Sequence, residues 1–208
     1  GNVIGTLNDA RTFGGVVGCA LGEVTNCYAA GTVNGWYLIG GVVGQTYGDG
    51  DAHATVSGCM ALNVSVENGY GTVGRVTGKL GTTGVLSGNY AWAGMPINGN
   101  QVTTGSHDDL NGADLTYDDQ NGLSRQFETI FGGNSAWTYT ENGLPTLKNV
   151  GGAQSSELPS WMLGSETTFY ITTAQQLKQL ADEVNAGDSK SGKTYLLAND
   201  IDLSVYPN

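Results

Sequence analysis

Charge is scarce in this 208-residue chain: Asp, Glu, Lys and Arg make up 13% of it, about half of the ~25% usual for a soluble domain. Cations are scarcest, with 8 Lys and Arg against 19 Asp and Glu and a net charge of −11. So few scattered cations assemble no basic patch able to neutralise a run of phosphates, and nucleic acid is not expected as a partner. Proline occurs only 4 times and glycine follows no three-residue period, which excludes a collagen-like chain. No apolar run approaches the ~18 residues of a membrane-spanning helix, so membrane insertion is not expected. The start, Gly1-Asn2-Val3-Ile4-Gly5, lacks a signal-peptide layout and reads as the beginning of a trimmed piece. Histidine is limited to His53 and His107. Neither stands in a zinc-ligand spacing, so no metal site of that kind is expected. Cys19, Cys27 and Cys59 are an odd set in a long chain and imply no disulfide framework. No Gly-x-Ser-x-Gly elbow occurs, and no catalytic residue is assigned.

What the chain does have is glycine, 34 residues, roughly 16% against an average near 7%. Hydrophobic residues are 39%; with Gly counted as apolar and Tyr left out the fraction is about 50%, ordinary for a globular protein, which excludes a disordered tail. So much glycine disfavours a helical bundle. The glycines recur in blocks. Phe13-Gly14-Gly15-Val16-Val17-Gly18 returns as Ile39-Gly40-Gly41-Val42-Val43-Gly44 and, more weakly, as Val73-Gly74-Arg75-Val76-Thr77-Gly78. A second block follows each copy: Val24-Thr25-Asn26-Cys27-Tyr28-Ala29, Val56-Ser57-Gly58-Cys59-Met60-Ala61 and Leu86-Ser87-Gly88-Asn89-Tyr90-Ala91. The spacings are 26 and 34 residues for the first block and 32 and 30 for the second. A period near 30 with two short apolar blocks suits a solenoid coil of two strands, in which equivalent residues stack. Six Asn-Gly pairs, beginning at Asn34, Asn68, Asn98, Asn111, Asn121 and Asn142, are hairpin-turn signals.

These blocks resemble the GLUG repeats of bacterial surface proteins. Such repeats occur in adhesin-like proteins and in the non-catalytic N-terminal part of bacterial immunoglobulin A peptidases. The resemblance covers residues ~13–97 directly. It implies an all-β fold, a right-handed β-helix-like solenoid of about three irregular coils at the cell surface. The stretch from Asp114 to Lys148 looks like the segment that closes such arrays. Within it Leu123, Phe127, Ile130 and Phe131 have helical spacing, with Trp137 and Leu144 able to pack below. This predicts a small helix-containing cap over the strand edges of the last coil.

The expected division is a repeat domain with its cap over 1–150, a Gly/Ser-rich linker over 151–168, and a short α+β unit over 169–208. In the last, Phe169-Tyr170-Ile171 reads as a strand and Thr173 with Gln176 as a capping box. Leu177, Leu180, Ala181 and Val184 form one helix face, Gly187 stops the helix, and 194–197 and 201–203 read as strands. The unit resembles the opening of a further solenoid, which points to a piece of a larger chain cut across two consecutive solenoids; the alternative is that it packs on a coil end of its own or a neighbouring molecule.

Several motifs have bland explanations. Gly187-Asp188-Ser189-Lys190-Ser191-Gly192-Lys193-Thr194 fits the P-loop pattern letter by letter. A P-loop lies between a strand and a following helix, and here the order is reversed, so no nucleotide site is assigned. Asp200 and Asp202 share a strand face at glycosidase-like spacing, with a solvated outer face as the simpler account. Asp49-Gly50-Asp51 and Asp108, Asp109, Asp118 and Asp119 leave calcium open, while no cofactor is otherwise expected. Cys27 and Cys59 occupy equivalent positions and stack as small apolar groups, a disulfide between them being a matter for geometry. Asn63-Val64-Ser65 is a lone glycosylation sequon, and Leu144-Pro145-Thr146 lacks the Gly of a sortase signal.

Among the aromatics Tyr28, Tyr37, Tyr47, Tyr90, Trp36 and Trp92, the pair Trp36 and Tyr37 beside Asn34-Gly35 is expected to be exposed and able to stack on a sugar ring. Tyr28 and Tyr90 are repeat equivalents and expected in the internal ladder. The function expected is therefore a non-enzymatic, extracellular or cell-surface module, a stalk or adhesin meeting a host or matrix protein or glycan. The alternatives are the substrate-positioning part of a secreted peptidase and, further off, a carbohydrate-active solenoid.

Overall fold

The computed structural model describes residues 1–6, 11–48, 53–102, 104–116, 122–140, 143–159, 162, 168–171, 174–185, 187, 189–191, 193–197, 201 and 203–204. The described residues form mostly strands, with two α-helices among them, and the chain falls into two compact units. The first comprises Gly1–Thr116 with Glu128–Asn134, the second Tyr117–Phe127 with Ser135–Asn208.

In the first unit the chain passes three times through the same set of short parallel sheets. One sheet holds β1 (Val3–Ile4), β6 (Val33–Gly35), β11 (Val66–Asn68) and β16 (Pro96–Ile97), with β17 (Asn100–Gln101) antiparallel at its edge. The next holds β2 (Thr12–Gly14), β7 (Leu38–Gly40) and β12 (Thr72–Gly74). A third holds β3 (Val17–Ala20), β8 (Val43–Thr46) and β13 (Thr77–Lys79). A fourth holds β4 (Glu23–Thr25), β9 (Thr55–Ser57) and β14 (Val85–Ser87). The fifth holds β5 (Tyr28–Ala29), β10 (Met60–Ala61), β15 (Tyr90–Trp92) and β18 (Ala113–Leu115). Each full pass thus carries five short strands rather than the two expected, because glycine and turn residues interrupt the ladder every few residues.

The repeat alignment is the strand register. Phe13 pairs with Ile39 and Ile39 with Val73, while Val24 pairs with Val56 and Val56 with Leu86. Like residues therefore stack inward, and Val33, Ile39, Val42, Val56, Val66 and Val76 form part of one buried core. Alternation fails at 59–61, where Cys59, Met60 and Ala61 are all fully buried. The carbonyl of Ile130 lies against the Gly58 corner beside them, and Phe131 is buried too.

The ladder ends differently from expectation. The carbonyl of Val42 accepts from the amides of Val16 and Val17, and that of Val76 from Val42 and Val43. Beyond the third pass the carbonyl of Leu110 takes this place, accepting from Val76 and Thr77. Residues 105–112 therefore close these strands, whereas the expected helix, α1 (Gly122–Ile130), brings its C-terminal end to the Gly58 corner. Phe127 is buried as its spacing predicted; the side chain of Leu123 lies outside the described residues.

In the second unit β19 (Trp137–Thr138) and β20 (Thr146–Leu147) are antiparallel. β21 (Thr168–Ile171) and β22 (Thr194–Leu197) pair in parallel around α2 (Ala174–Asn185). Helix before and strand after the Gly187–Thr194 stretch confirm the reversed order, with Gly187 at φ +100°. The α2 face expected to be buried is only partly so: Leu177 and Leu180 are half-buried, Ala181 and Val184 exposed. Ile201 and Leu203 are not in a strand, contrary to expectation, and the capping Thr173 lies outside the described residues. No helix among the described residues is long and apolar enough to cross a membrane.

Candidate functional site

The first sheet carries the most site-like feature, and strand alternation explains it. Val3, Val33, Val66 and Ile97 stand in register and point inward, which turns Ile4, Asn34 and Glu67 outward. Asn34 Nδ2 donates to Glu67 Oε2 at 2.9 Å, and Ser65 Oγ donates to Oε1 at 3.1 Å. Both carboxylate oxygens are thereby engaged. One position on, Asn98 Nδ2 donates to Asn68 Oδ1 at 2.6 Å and its Oδ1 accepts from the Asn68 amide at 2.8 Å. Asn98, at φ +49°, and Gly99, at +74°, form the tight hairpin between β16 and β17 that the Asn-Gly signal predicts. Asn34-Gly35 is not such a turn; it continues β6.

Register pairs Asn68 with Gly35, so the two Asn-Gly pairs are offset by one residue across the sheet. The offset places Gly69 beside Trp36. A Cβ at Gly69 would collide with the indole, so the ring rests on bare backbone. Tyr37 stacks with Tyr70 at a centroid distance of 5.9 Å and 24° between planes, and Gly71, at φ +95°, leaves room for the Tyr37 ring. Gly5, Asn34, Gly35, Trp36, Glu67, Asn68, Gly69, Asn98 and Gly99 line an open groove of about 620 Å³.

Trp36 is 37% exposed and Tyr37 36%, as their place beside Asn34-Gly35 predicts. Tyr70, at 67%, is exposed against Tyr37; the groove lining includes Trp36 but neither tyrosine, and the sequence reading does not include Tyr70. Its signal was present, since Asn68-Gly69-Tyr70 echoes Asn34-Gly35-Trp36-Tyr37, but only the one-residue offset shows which rings meet. Tyr47 is exposed outside this groove, while Trp92 packs against the core. Tyr28 and Tyr90 both pair with Met60, so the fifth sheet alternates Tyr, Met, Tyr. Burial pushes the Tyr28 hydroxyl above its usual range, and Tyr90 meets His107 edge-on.

The acidic candidates fall elsewhere. Asp109 accepts from the amides of Ser106, Asn111 and Gly112, and Asp108 from that of Gly88. Asp109 thus holds its own turn, while Asp108 ties that turn to the Gly88 corner. Asp49 to Asp51, Asp118, Asp119, Asp200 and Asp202 lie outside the described residues. Among the described residues no cluster of three metal-ligating side chains occurs. Asn63, the sequon residue, is fully buried and donates to the carbonyls of Gly31 and Gly41, so it holds passes together rather than facing solvent.

A stack of parallel passes with an aromatic groove on one flank defines a repeat protein of the β class. Residues 9–34 match the family model of the GLUG motif, so the chain carries that motif at its first pass. No curated protein and no solved structure shows a significant match to the chain.

Proposed function

We propose that the chain is a non-enzymatic module of a larger bacterial surface protein, a short right-handed β-solenoid that attaches to glycan through the Trp36 groove. The observation carrying this reading is the half-exposed indole of Trp36 on the backbone of Gly69, bordered by Asn34, Glu67, Asn68 and Asn98. An aromatic face takes the apolar face of a sugar ring, and neighbouring amides and a carboxylate hydrogen-bond its hydroxyls. The GLUG motif supports the surface setting, and the parallel register over three passes supports the solenoid. The described groove lining contains a single carboxylate, Glu67, already engaged on both oxygens. Glycoside hydrolysis ordinarily uses two, which favours binding over cleavage.

A glycan array probed with the 208-residue chain, followed by titration calorimetry on the best hit, tests this. Trp36→Ala is expected to weaken binding by more than tenfold, in the range of an aromatic anchor at an interface, while Tyr47→Ala outside the groove leaves it unchanged. Glycan binding that survives Trp36→Ala, or no binding by the wild-type chain, would remove the glycan from this reading and leave a stalk.

A further inference from the structure

The groove uses none of the three cysteines, and two of them are arranged as a pair. Asn26, at φ +52°, and Gly58, at φ +57°, turn the chain through the same left-handed corner in successive passes. Just beyond the corners Tyr28 pairs with Met60, which sets Cys27 directly beside Cys59 in parallel register. The pair lies between the fourth and fifth sheets, and hydrogen bonds between the two passes bracket it, the Asn26 amide donating to the Ser57 carbonyl at 3.2 Å and the Met60 amide to that of Cys27 at 2.9 Å. Register neighbours in a parallel sheet lie about 4.8 Å apart with side chains in the same direction. That separation falls inside the window of about 4.4–6.8 Å between Cα atoms that a disulfide spans.

The two thiols differ in access. Cys59 is fully buried, whereas Cys27 is half-buried. Both are reduced: Cys27 Sγ donates to the Thr25 carbonyl at 3.1 Å, and Cys59 Sγ reaches the carbonyls of Val24 and Ser57 at 3.4 Å. Val24 belongs to the pass that holds Cys27, so the Cys59 sulfur leans toward its neighbour. The column stops there. In the third pass Asn89 takes the position, accepting from the Cys59 amide and donating to the Val56 carbonyl. Cys19 stands apart, paired in register with Gln45.

We infer that Cys27 and Cys59 are a two-thiol redox couple that a small-molecule disulfide converts into a cross-pass disulfide, Cys27 attacking and Cys59 resolving. With glutathione disulfide as oxidant, the Cys27 thiolate attacks one sulfur, forming Cys27–S–S–glutathione and expelling one glutathione thiolate. That leaving group takes a proton. Cys59 then loses its proton to water and attacks Cys27 Sγ, closing the Cys27–Cys59 bond and expelling the second glutathione. The two cysteines lose two electrons and the oxidant gains them. Hydrogen bonding from Cys59 holds the Cys27 thiol down at about 7, against burial, which acts in the opposite sense. A thiol in that range has much of its thiolate at neutral pH and suits the attacking role. The same hydrogen bond, then burial, pushes the Cys59 thiol up, as suits a partner that reacts only with a sulfur already beside it.

The experiment uses the full chain carrying Cys19→Ser, reduced, exposed to glutathione disulfide and quenched by alkylation. Expected is the joint disappearance of both thiols, an intact mass lighter by two hydrogens with no glutathione attached, and a proteolytic peptide joining 27 to 59. With Cys59→Ala added, the reaction is expected to halt at a glutathione adduct on Cys27. The iodoacetamide rate at Cys27, half-maximal near pH 7 in the parent, is then expected to move up toward the ordinary thiol range. A parent chain that stops at the glutathione adduct overturns the inference without any Cys59 variant being needed. So does a Cys27→Ser chain whose Cys59 takes up glutathione as fast as Cys27 does in the parent.

Discussion

Gly41→Ala is expected to destabilise the first unit by about 3 kcal/mol or more, a large share of the ~5–15 kcal/mol by which a domain is stable. Gly15, Gly41 and Arg75 are repeat equivalents in three successive passes. A Cβ at Gly15 would strike the carbonyl of Gly41, and a Cβ at Gly41 would strike the carbonyl of Arg75 and Asn63 Oδ1. Neither obstacle can step aside. The Arg75 carbonyl accepts from the Gly41 amide at 2.9 Å, and Asn63 is held by its bonds to Gly31 and Gly41. Accommodating one methyl group means prising the second and third passes apart, so the strain is added to lost ladder hydrogen bonds. Gly22→Ala is the control. Nothing lies within 4 Å of a Cβ there, and a change within about 0.5 kcal/mol is expected. Urea unfolding of both variants measures the difference, and equal midpoints would refute the close-approach argument.

Arg75→Ala is expected to cost about 3–4 kcal/mol by the same measurement. Arg75 stands where the other passes have glycine, and the reason is its position in the last of the three. Its side chain is fully buried. Nε donates to the Asn111 carbonyl at 3.1 Å, Nη2 donates to that of Gly112 at 2.9 Å, and Nη2 pairs with Asp114 at 2.7 Å. The guanidinium thus anchors the 105–114 segment whose Leu110 carbonyl ends the ladder. Truncation leaves two carbonyls without their donor and a cavity where the stem was. Asp114 is 46% exposed on its side chain, so water partly replaces its lost partner and the ion pair itself adds little to the total. Arg75→Lys is expected to recover only part of the loss, since an ammonium cannot reproduce the forked geometry. Hydrogen exchange should show the effect first at Val76 and Thr77, the amides that bond Leu110.

Much of the fold was legible because repetition in a parallel stack is itself register. Aligning Phe13 with Ile39 and Val73, or Cys27 with Cys59, is the same operation as pairing strands. The exposed aromatics Trp36 and Tyr37 were legible for a local reason, their place directly after Asn34-Gly35, although that pair continues β6 rather than turning. Tyr70 was not, because its partnership depends on a one-residue offset between two Asn-Gly pairs that look equivalent in sequence. The closing segment was misplaced for a comparable reason. A helix announces itself by apolar spacing, and α1 was found that way. The group that ends the ladder is a backbone carbonyl, which has no side-chain signature.

By itself, then, the sequence determined the period, the β class, the order of like residues and the equivalence of Cys27 and Cys59. These follow from local chemistry repeated at intervals of about 30 residues. Only the tertiary structure decided that Trp36 lies on Gly69, that Asn63 faces inward and that Arg75 is buried at the end of the stack. Each of those depends on what the neighbouring pass presents or, for Arg75, on the 105–114 segment that packs on the third pass.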